Sequence, residues 1–425
     1  MAQILYPIGE QSFREIRRKG MLYVDKTAYI RKLETEGKYY FLSRPRRFGK
    51  SLLISTMEEY FRGNRELFRG LAIDRLVPEE WDRYPVFHLD FMRSGISRTQ
   101  DLLDALSDAL DIWEDEYGIS NRGESADRRF KKVIMTAYRV TGRQAVVLID
   151  EYDRPIIDVS QSADTEETNR KILHDFYGVM KGCSDYLKFV FLTGVGKLGQ
   201  INVFSGLNNI ADISLVPDYS AICGITTDEM LSVFGEGIAD LGQHEGWSFD
   251  EAVQQLKDNY DGYHFSRDMK DVYNPFSLIK ALHFRDLGDY WFQSGTPMRL
   301  VKQFIDNDWG TPDLEGTVVS QSTLEAGDVL GKNLPLACYY TGYLTIKSYD
   351  AKRRSFTLGY TNKEVRMGFF NFLLQYIQGR NSGRAENFVD SLRNYIERDD
   401  IEGFLRELQS FLAGIPYMNY TDKES

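Results

Sequence analysis

An α/β fold with a mainly parallel sheet is the class this sequence predicts, and three observations carry it. Apolar runs of strand type recur at residues 39–42, 85–90, 145–149 and 187–193, with helical patterns between them. Strands buried on both faces of a parallel sheet read as such continuous apolar runs. The first run leads through a basic glycine-lysine-serine loop into a helix-compatible stretch, and the third ends in two adjacent carboxylates.

The loop is Arg44-Pro45-Arg46-Arg47-Phe48-Gly49-Lys50-Ser51, followed by Leu52. The pattern G-x-x-x-x-G-K-[ST] between a strand and a helix cradles phosphates. Its last three positions match here, and Arg44 stands where the first glycine is expected. A helix N-terminus offers unpaired N–H groups and a partial positive charge to phosphate. Gly49 lets the backbone approach the ligand, Lys50 reaches β and γ phosphates, and the Ser51 hydroxyl suits Mg2+. Pro45 removes one N–H. Arg44, Arg46 and Arg47 add charge that offsets this loss or serves another role. Taken alone, the stretch also describes a basic turn before an ordinary helix.

A second motif decides between these readings. Ala145-Val146-Val147-Leu148-Ile149-Asp150-Glu151 is a strand ending in two acids, and ligands of such sheets bind beyond the carboxyl ends of the strands. This has the form of a Walker B segment. Asp150 is expected to hold Mg2+ through water, and Glu151 to orient or deprotonate the attacking water. A core strand with a solvated acidic end is common by itself, less so about a hundred residues after a Gly-Lys-Ser loop.

The remaining stretches follow in order. Residues 21–27 read as a strand or extended turn before a helix near 28–34; Tyr23 there suits core packing better than a nucleotide base. Residues 51–62 and 99–117 read as helices, 121–129 as a loop and 130–140 as a helix. Thr193 ends the strand 187–194. In P-loop ATPases with an extra strand between the two motifs, a polar residue at that tip senses the γ-phosphate; a threonine closing a strand is the equal alternative. Residues 203–210 read as a polar turn before a fifth strand near 213–215. From Thr226 to about 300 the pattern is helical, interrupted at 260–265 and 273–276, with His264 read as a packed, hydrogen-bonded histidine. Residues 300–328 are less regular. Residues 333–346 and 355–358 read as a helix and a hairpin, 364–377 as a helix, and 387–397 and 401–412 as two amphipathic helices. Helix, hairpin and helix suggest a winged-helix-like unit.

Composition bounds the function. A chain of 425 residues holds two or three domains. Its net charge of −11 counts against a chain-wide nucleic-acid surface. Cys183, Cys223 and Cys338 lie far apart, so neither a metal site nor a disulfide framework is implied, and a cytoplasmic, reducing setting fits. No signal pattern opens the chain, and no run of 18 apolar residues crosses a membrane.

Several stretches together resemble one family, the AAA-ATPase-like proteins of prokaryotes. They are Tyr23-Val24-Asp25-Lys26-Thr27, residues 44–51, Leu148-Ile149-Asp150-Glu151-Tyr152-Asp153, Phe204-Ser205-Gly206-Leu207-Asn208-Asn209, Asp261-Gly262-Tyr263, Tyr273-Asn274-Pro275 and Thr341-Gly342-Tyr343. The resemblance covers nearly the whole chain and implies that Arg44 is the family's own loop variant. Members often carry a C-terminal nuclease-like domain of the PD-(D/E)xK type. This chain stops at Ser425, about where such a domain would begin. The acid-x-lysine spacing occurs only in polar loops, at Glu36-Gly37-Lys38 and Asp268-Met269-Lys270, so no nuclease site is expected in these residues.

The expectation is an α/β P-loop NTPase core of the ASCE type over residues 1–225. A helical, lid-like region (226–300) and a winged-helix-like and helical region (301–425) follow. The site is Glu151, Lys50 and Thr193 for catalysis, residues 44 and 46–52 for ATP, and Ser51 and Asp150 for Mg2+. A slow ATPase used as a switch or motor subunit is expected, with a second copy or a protein partner supplying what the chain lacks. The alternatives are an ATP-gated binding module with negligible turnover, and the ATPase component of a nucleic-acid-processing protein.

Overall fold

The structure is a computed structural model. It describes residues 4–78, 81–93, 95–119, 123–160, 162–197, 209–293, 314–327, 333–377, 391, 394–395, 398 and 400–413. Five strands, β1 (Tyr39–Ser43), β2 (Val86–Asp90), β3 (Ala145–Asp150), β4 (Leu187–Gly194) and β5 (Ala211–Asp212), form one sheet in the order β2-β3-β4-β1-β5. Every pairing is parallel. One strand, β4, separates β1 from β3, which is the ASCE order of a P-loop NTPase core.

The pleat explains the apolar runs. Tyr40 and Leu42 of β1 face one core, Tyr39 and Phe41 the other. Val146 and Leu148 of β3 face the first core, Val147 and Ile149 the second. Helix Lys50–Phe61 covers the first face with Leu53, Ile54 and Met57. Helices Thr99–Glu116, Ala126–Thr141 and Ala163–Gly182 cover the second. Leu102, Leu106 and Leu110 show the spacing of a buried helical stripe, and each such side chain gains roughly 1.5–3 kcal/mol on leaving water. The register places Ser43 beside Gly194, and Asp90 beside Asp150. The polar residues therefore emerge together along the carboxyl edge of the sheet.

Beyond the sheet the chain is helical. Helices Thr227–Glu245 and Phe249–Tyr260 each open with a capping box, Thr226 with Glu229 and Ser248 with Glu251. Asn274 caps helix Pro275–Phe284. Residues 273–276, expected as an interruption, thus hold a helix cap and first turn.

A second sheet follows: β6 (Thr317–Ser320), β7 (Leu344–Asp350) and β8 (Ser355–Tyr360), antiparallel in the order β6-β8-β7. Helices Gln321–Ala326 and Leu334–Thr341 lie between β6 and β7. Strand, two helices and hairpin is the winged-helix order. Leu334 through Tyr340 are all buried. They share the core that holds Tyr40, Leu42 and Phe48, so this helix packs with the P-loop face of the parallel sheet. Gly342 closes it at φ 94°, where a Cβ would stand 3.0 Å from the Pro45 Cβ; only glycine suits both demands.

Some boundaries differ from those read in the sequence. The fifth strand is Ala211–Asp212, not 213–215. Ile213 N–H adds one bond to the Phe41 carbonyl (3.0 Å), and then the Ser214 hydroxyl accepts the Ser43 N–H (2.8 Å) and ends the ladder. Helix Ala126–Thr141 starts before residue 130, with Ser125 at its N-cap position. The irregular stretch 300–328 contains β6 and helix Gln321–Ala326. Residues 203–208 lie outside the described residues, as do most of 387–397.

Candidate functional site

The loop between β1 and helix Lys50–Phe61 turns on two left-handed residues, Arg47 (φ 70°) and Gly49 (φ 90°). Gly49 occupies the N-cap position without a side-chain cap, which leaves the N–H groups of the first turn uncapped by that residue. Lys50 is buried. Its Nζ donates to the carbonyls of Arg44 (3.0 Å) and Pro45 (3.2 Å) and stands 3.7 Å from Glu151 Oε1.

Asp150 sits opposite on β3, buried. Its Oδ1 accepts the Glu151 N–H (3.0 Å) and the Thr193 hydroxyl (3.2 Å). Burial raises its pKa above the ordinary carboxylate value, opposed by the Ser51 hydroxyl and the charge of Lys50. Glu151 is buried and left-handed, at φ 54°, a conformation that costs a residue with a side chain roughly 1–3 kcal/mol. The structure thus brings Lys50, Ser51, Asp150, Glu151 and Thr193 into one cluster at the strand ends.

The other loop residues divide. Arg46 and Arg47 are exposed, with the Arg47 guanidinium 4.7 Å above the Phe276 ring. Phe48 is buried against Tyr263 and Phe265, with centroids at 4.6 and 5.3 Å, and anchors the loop. Leu52 lies on the helix, partly buried against the first core. Arg44 is fully buried. Its guanidinium donates to the carbonyls of Ser43 (2.8 Å), Ser214 (2.8 Å) and Tyr219 (2.9 Å) and stacks 4.2 Å from the Phe265 ring. The first glycine of the pattern is thus replaced by a cation spent on protein carbonyls.

Tyr23 packs on Phe13 (5.1 Å between centroids) and its hydroxyl lies 3.4 Å from that of Thr56, as core packing requires. His264 bonds the Ile346 carbonyl through Nδ1 (2.7 Å) and Asp271 through Nε2 (2.6 Å). Of the two acid-x-lysine triplets, Glu36 accepts the Tyr219 hydroxyl (2.6 Å), Lys38 donates to the Ser184 carbonyl, and Asp268 accepts from Ser266 and Ser220. Neither triplet lies within a strand.

The residue reasoning passed over is Asp153. It is fully buried, and its Oδ2 accepts the N–H groups of Val195 and Gly196, each at 3.0 Å. Burial first, and the charge of Glu151 second, push its carboxyl well above the ordinary range. Its signal was the third acid of Asp150-Glu151-Tyr152-Asp153, quoted without a role.

Three comparisons bear on this site. The family model described as predicted AAA-ATPase matches residues 7–204. An uncharacterized protein in the vnfD 5' region of Azotobacter chroococcum mcd 1 is 34% identical over 424 residues, covering 98% of this chain and 79% of that protein. The ORC2 protein of Aeropyrum pernix, solved in ADPNP–ADP complexes, aligns over 88% of this chain and 96% of its own at 11% identity, with a TM-score of 0.31. So loose a superposition leaves the fold to be argued from the strand order. Among the described residues no helix is long and apolar enough to cross a membrane.

Proposed function

The chain belongs to the predicted AAA-ATPase family, and from that premise we propose that it binds Mg2+–ATP at residues 44–51 and hydrolyses it slowly as a nucleotide-driven switch. The observation that carries the reading is the buried Lys50–Glu151 pair at 3.7 Å beside Asp150, whose Oδ1 accepts the Thr193 hydroxyl (3.2 Å). Mg2+ takes one or two carboxylates together with substrate phosphates rather than a dedicated protein cage. The Ser51 hydroxyl and the buried Asp150 carboxylate would make a donor set of that kind. Held there, the metal would supply positive charge to the phosphate oxygens.

The remaining work falls to side chains. Phosphates displace the Arg44 and Pro45 carbonyls from Lys50, whose ammonium then faces the β and γ oxygens. The uncapped N–H groups of the first helical turn bind phosphate oxygens. Departure of Lys50 frees the Glu151 carboxylate to accept a proton from a water in line with the γ-phosphate. Thr193, bonded to Asp150 (3.2 Å), is the strand-tip residue this reading assigns to sensing that phosphate. Arg46 and Arg47 are exposed beside the loop; Arg44 is occupied elsewhere. An arginine from a second copy or a partner accelerates such transfers by about 10³–10⁵, and this reading assigns that charge to another molecule.

An ATP-gated module with little turnover is the second reading, favoured by the closeness of Lys50 to Glu151. The nucleic-acid reading draws no support from the buried helix Leu334–Thr341, which holds the place a recognition helix takes in winged-helix proteins. Steady-state phosphate release discriminates. The wild type turns over slowly, faster at high protein concentration, while Glu151→Gln keeps ATP binding and loses roughly 10²-fold or more in rate. Equal rates for Glu151→Gln and wild type contradict the reading.

A further inference from the structure

Residues 193–196, where β4 ends, are stitched to both motifs. The Thr193 carbonyl accepts the Tyr152 N–H (3.0 Å), and the Gly194 carbonyl accepts the Arg44 N–H (3.2 Å). The Val195 carbonyl accepts the Ser43 hydroxyl (2.6 Å), and the Gly196 carbonyl accepts the Tyr152 hydroxyl (2.9 Å). The N–H groups of Val195 and Gly196 converge on one oxygen, Asp153 Oδ2. The other oxygen, Oδ1, is buried without a hydrogen-bond partner among the described residues. A Cβ at Gly194 would come within 2.5 Å of it, so the glycine makes room for the carboxyl.

Packing alone does not call for an acid here. A buried carboxyl with an unsatisfied oxygen costs free energy, and Asp153 makes no ion pair among the described residues. What the acid does is hold two successive backbone N–H groups. Those groups fix the chain that leaves Thr193, and Thr193 is bonded to Asp150. Asp153 also opens the helix Arg154–Ile157, where its carbonyl accepts the N–H of Ile156 (3.1 Å) and Ile157 (3.0 Å). Its backbone is therefore tied to the β3 end and its side chain to the β4 end.

We propose that Asp153 is a positioning residue for nucleotide hydrolysis: through Val195 and Gly196 it holds the Thr193 tip of β4 in register with Asp150 and Glu151. The proposal rests on the ATPase reading. In this role Asp153 acts through the backbone of β4's end and not on the nucleotide itself. It acts as a hydrogen-bond acceptor, a role that an amide oxygen can also fill. A merely structural Asp153 would lower stability and leave the turnover of folded protein unchanged.

The test uses the full chain. Melting temperature, affinity for a non-hydrolysable ATP analogue with Mg2+, and kcat are measured for wild type, Asp153→Ala, Asp153→Asn and Glu151→Gln. Asp153→Ala is expected to bind the analogue within about threefold of wild type while kcat falls about tenfold or more, and Asp153→Asn to recover most of that loss. The proposal is overturned if folded Asp153→Ala keeps wild-type kcat, if its affinity falls in step with kcat, or if Asp153→Asn is as impaired as Asp153→Ala. Should Asp153→Ala melt below the assay temperature, Asp153→Glu decides, because its extra methylene drives the carboxyl toward Gly194. Reduced kcat at unchanged affinity supports the proposal, and wild-type kcat overturns it. If wild type has no turnover, or Glu151→Gln matches it, the ATPase reading falls and Asp153 with it. If Glu151→Gln is inactive and the Asp153 variants are not, only the Asp153 inference falls.

Discussion

A guanidinium buried without an ion pair among the described residues is costly unless its protons are used, and Arg44 uses those of Nη1 and Nη2 on the carbonyls of Ser43, Ser214 and Tyr219. It joins the start of the loop to the segment after β5. Arg44→Ala leaves those acceptors unsatisfied and opens a cavity beside Phe265. The expected loss is about 2–4 kcal/mol of unfolding free energy, read from urea unfolding. Lysine is no substitute, since one ammonium cannot match the spread of a planar fork. The place of the loop was legible at this scale: glycine, lysine and serine in order put Lys50 and Ser51 at the start of a helix after β1. The role of Arg44 was not, because two of its partners are 170 and 175 residues away in sequence. Asp153 was hidden for a similar reason, its partners lying 42 and 43 residues on.

Elements meet at Glu364, near the start of helix Lys363–Ile377. Its Oε1 accepts the Ser277 hydroxyl (3.0 Å) and the Trp291 N–H (2.7 Å), tying three helices together. Burial pushes its pKa from 4.5 up to about 8, against the lowering effect of the Trp291 N–H. A carboxyl with a raised folded-state pKa stabilises fully below 4.5, and that stability is lost as pH rises through 8. Glu364→Gln keeps the acceptor and never ionises. Its stability relative to wild type should therefore rise between pH 5 and pH 9, by about 2–4 kcal/mol at the upper end, read from melting temperatures across that range. A parallel pH dependence in both proteins would contradict this. The sheet was the most legible part, because strands covered on both faces are apolar throughout. The short edge strands were not: β5 is exposed, and β6 has one buried residue, so neither carries an apolar run.

At the scale of the molecule, one core runs from the P-loop face of the parallel sheet into the winged-helix-like unit. Trp291 adds an indole N–H to the Arg46 carbonyl (3.4 Å). A change in the loop on nucleotide binding would therefore reach the C-terminal unit through this core, and by linkage the position of that unit would then alter nucleotide affinity. The sequence carried the order of these parts but not their contact, since an apolar helix such as Leu334–Thr341 does not say which surface it will cover. All of this depends on ATP entering where Lys50 now bonds Arg44 and Pro45. Titration calorimetry of Mg2+–ATP into wild type and Lys50→Ala tests that most directly. Binding at one site per chain, weakened by well over tenfold in Lys50→Ala, or about 1.4 kcal/mol or more, is the predicted result; equal affinities in the two proteins would contradict it.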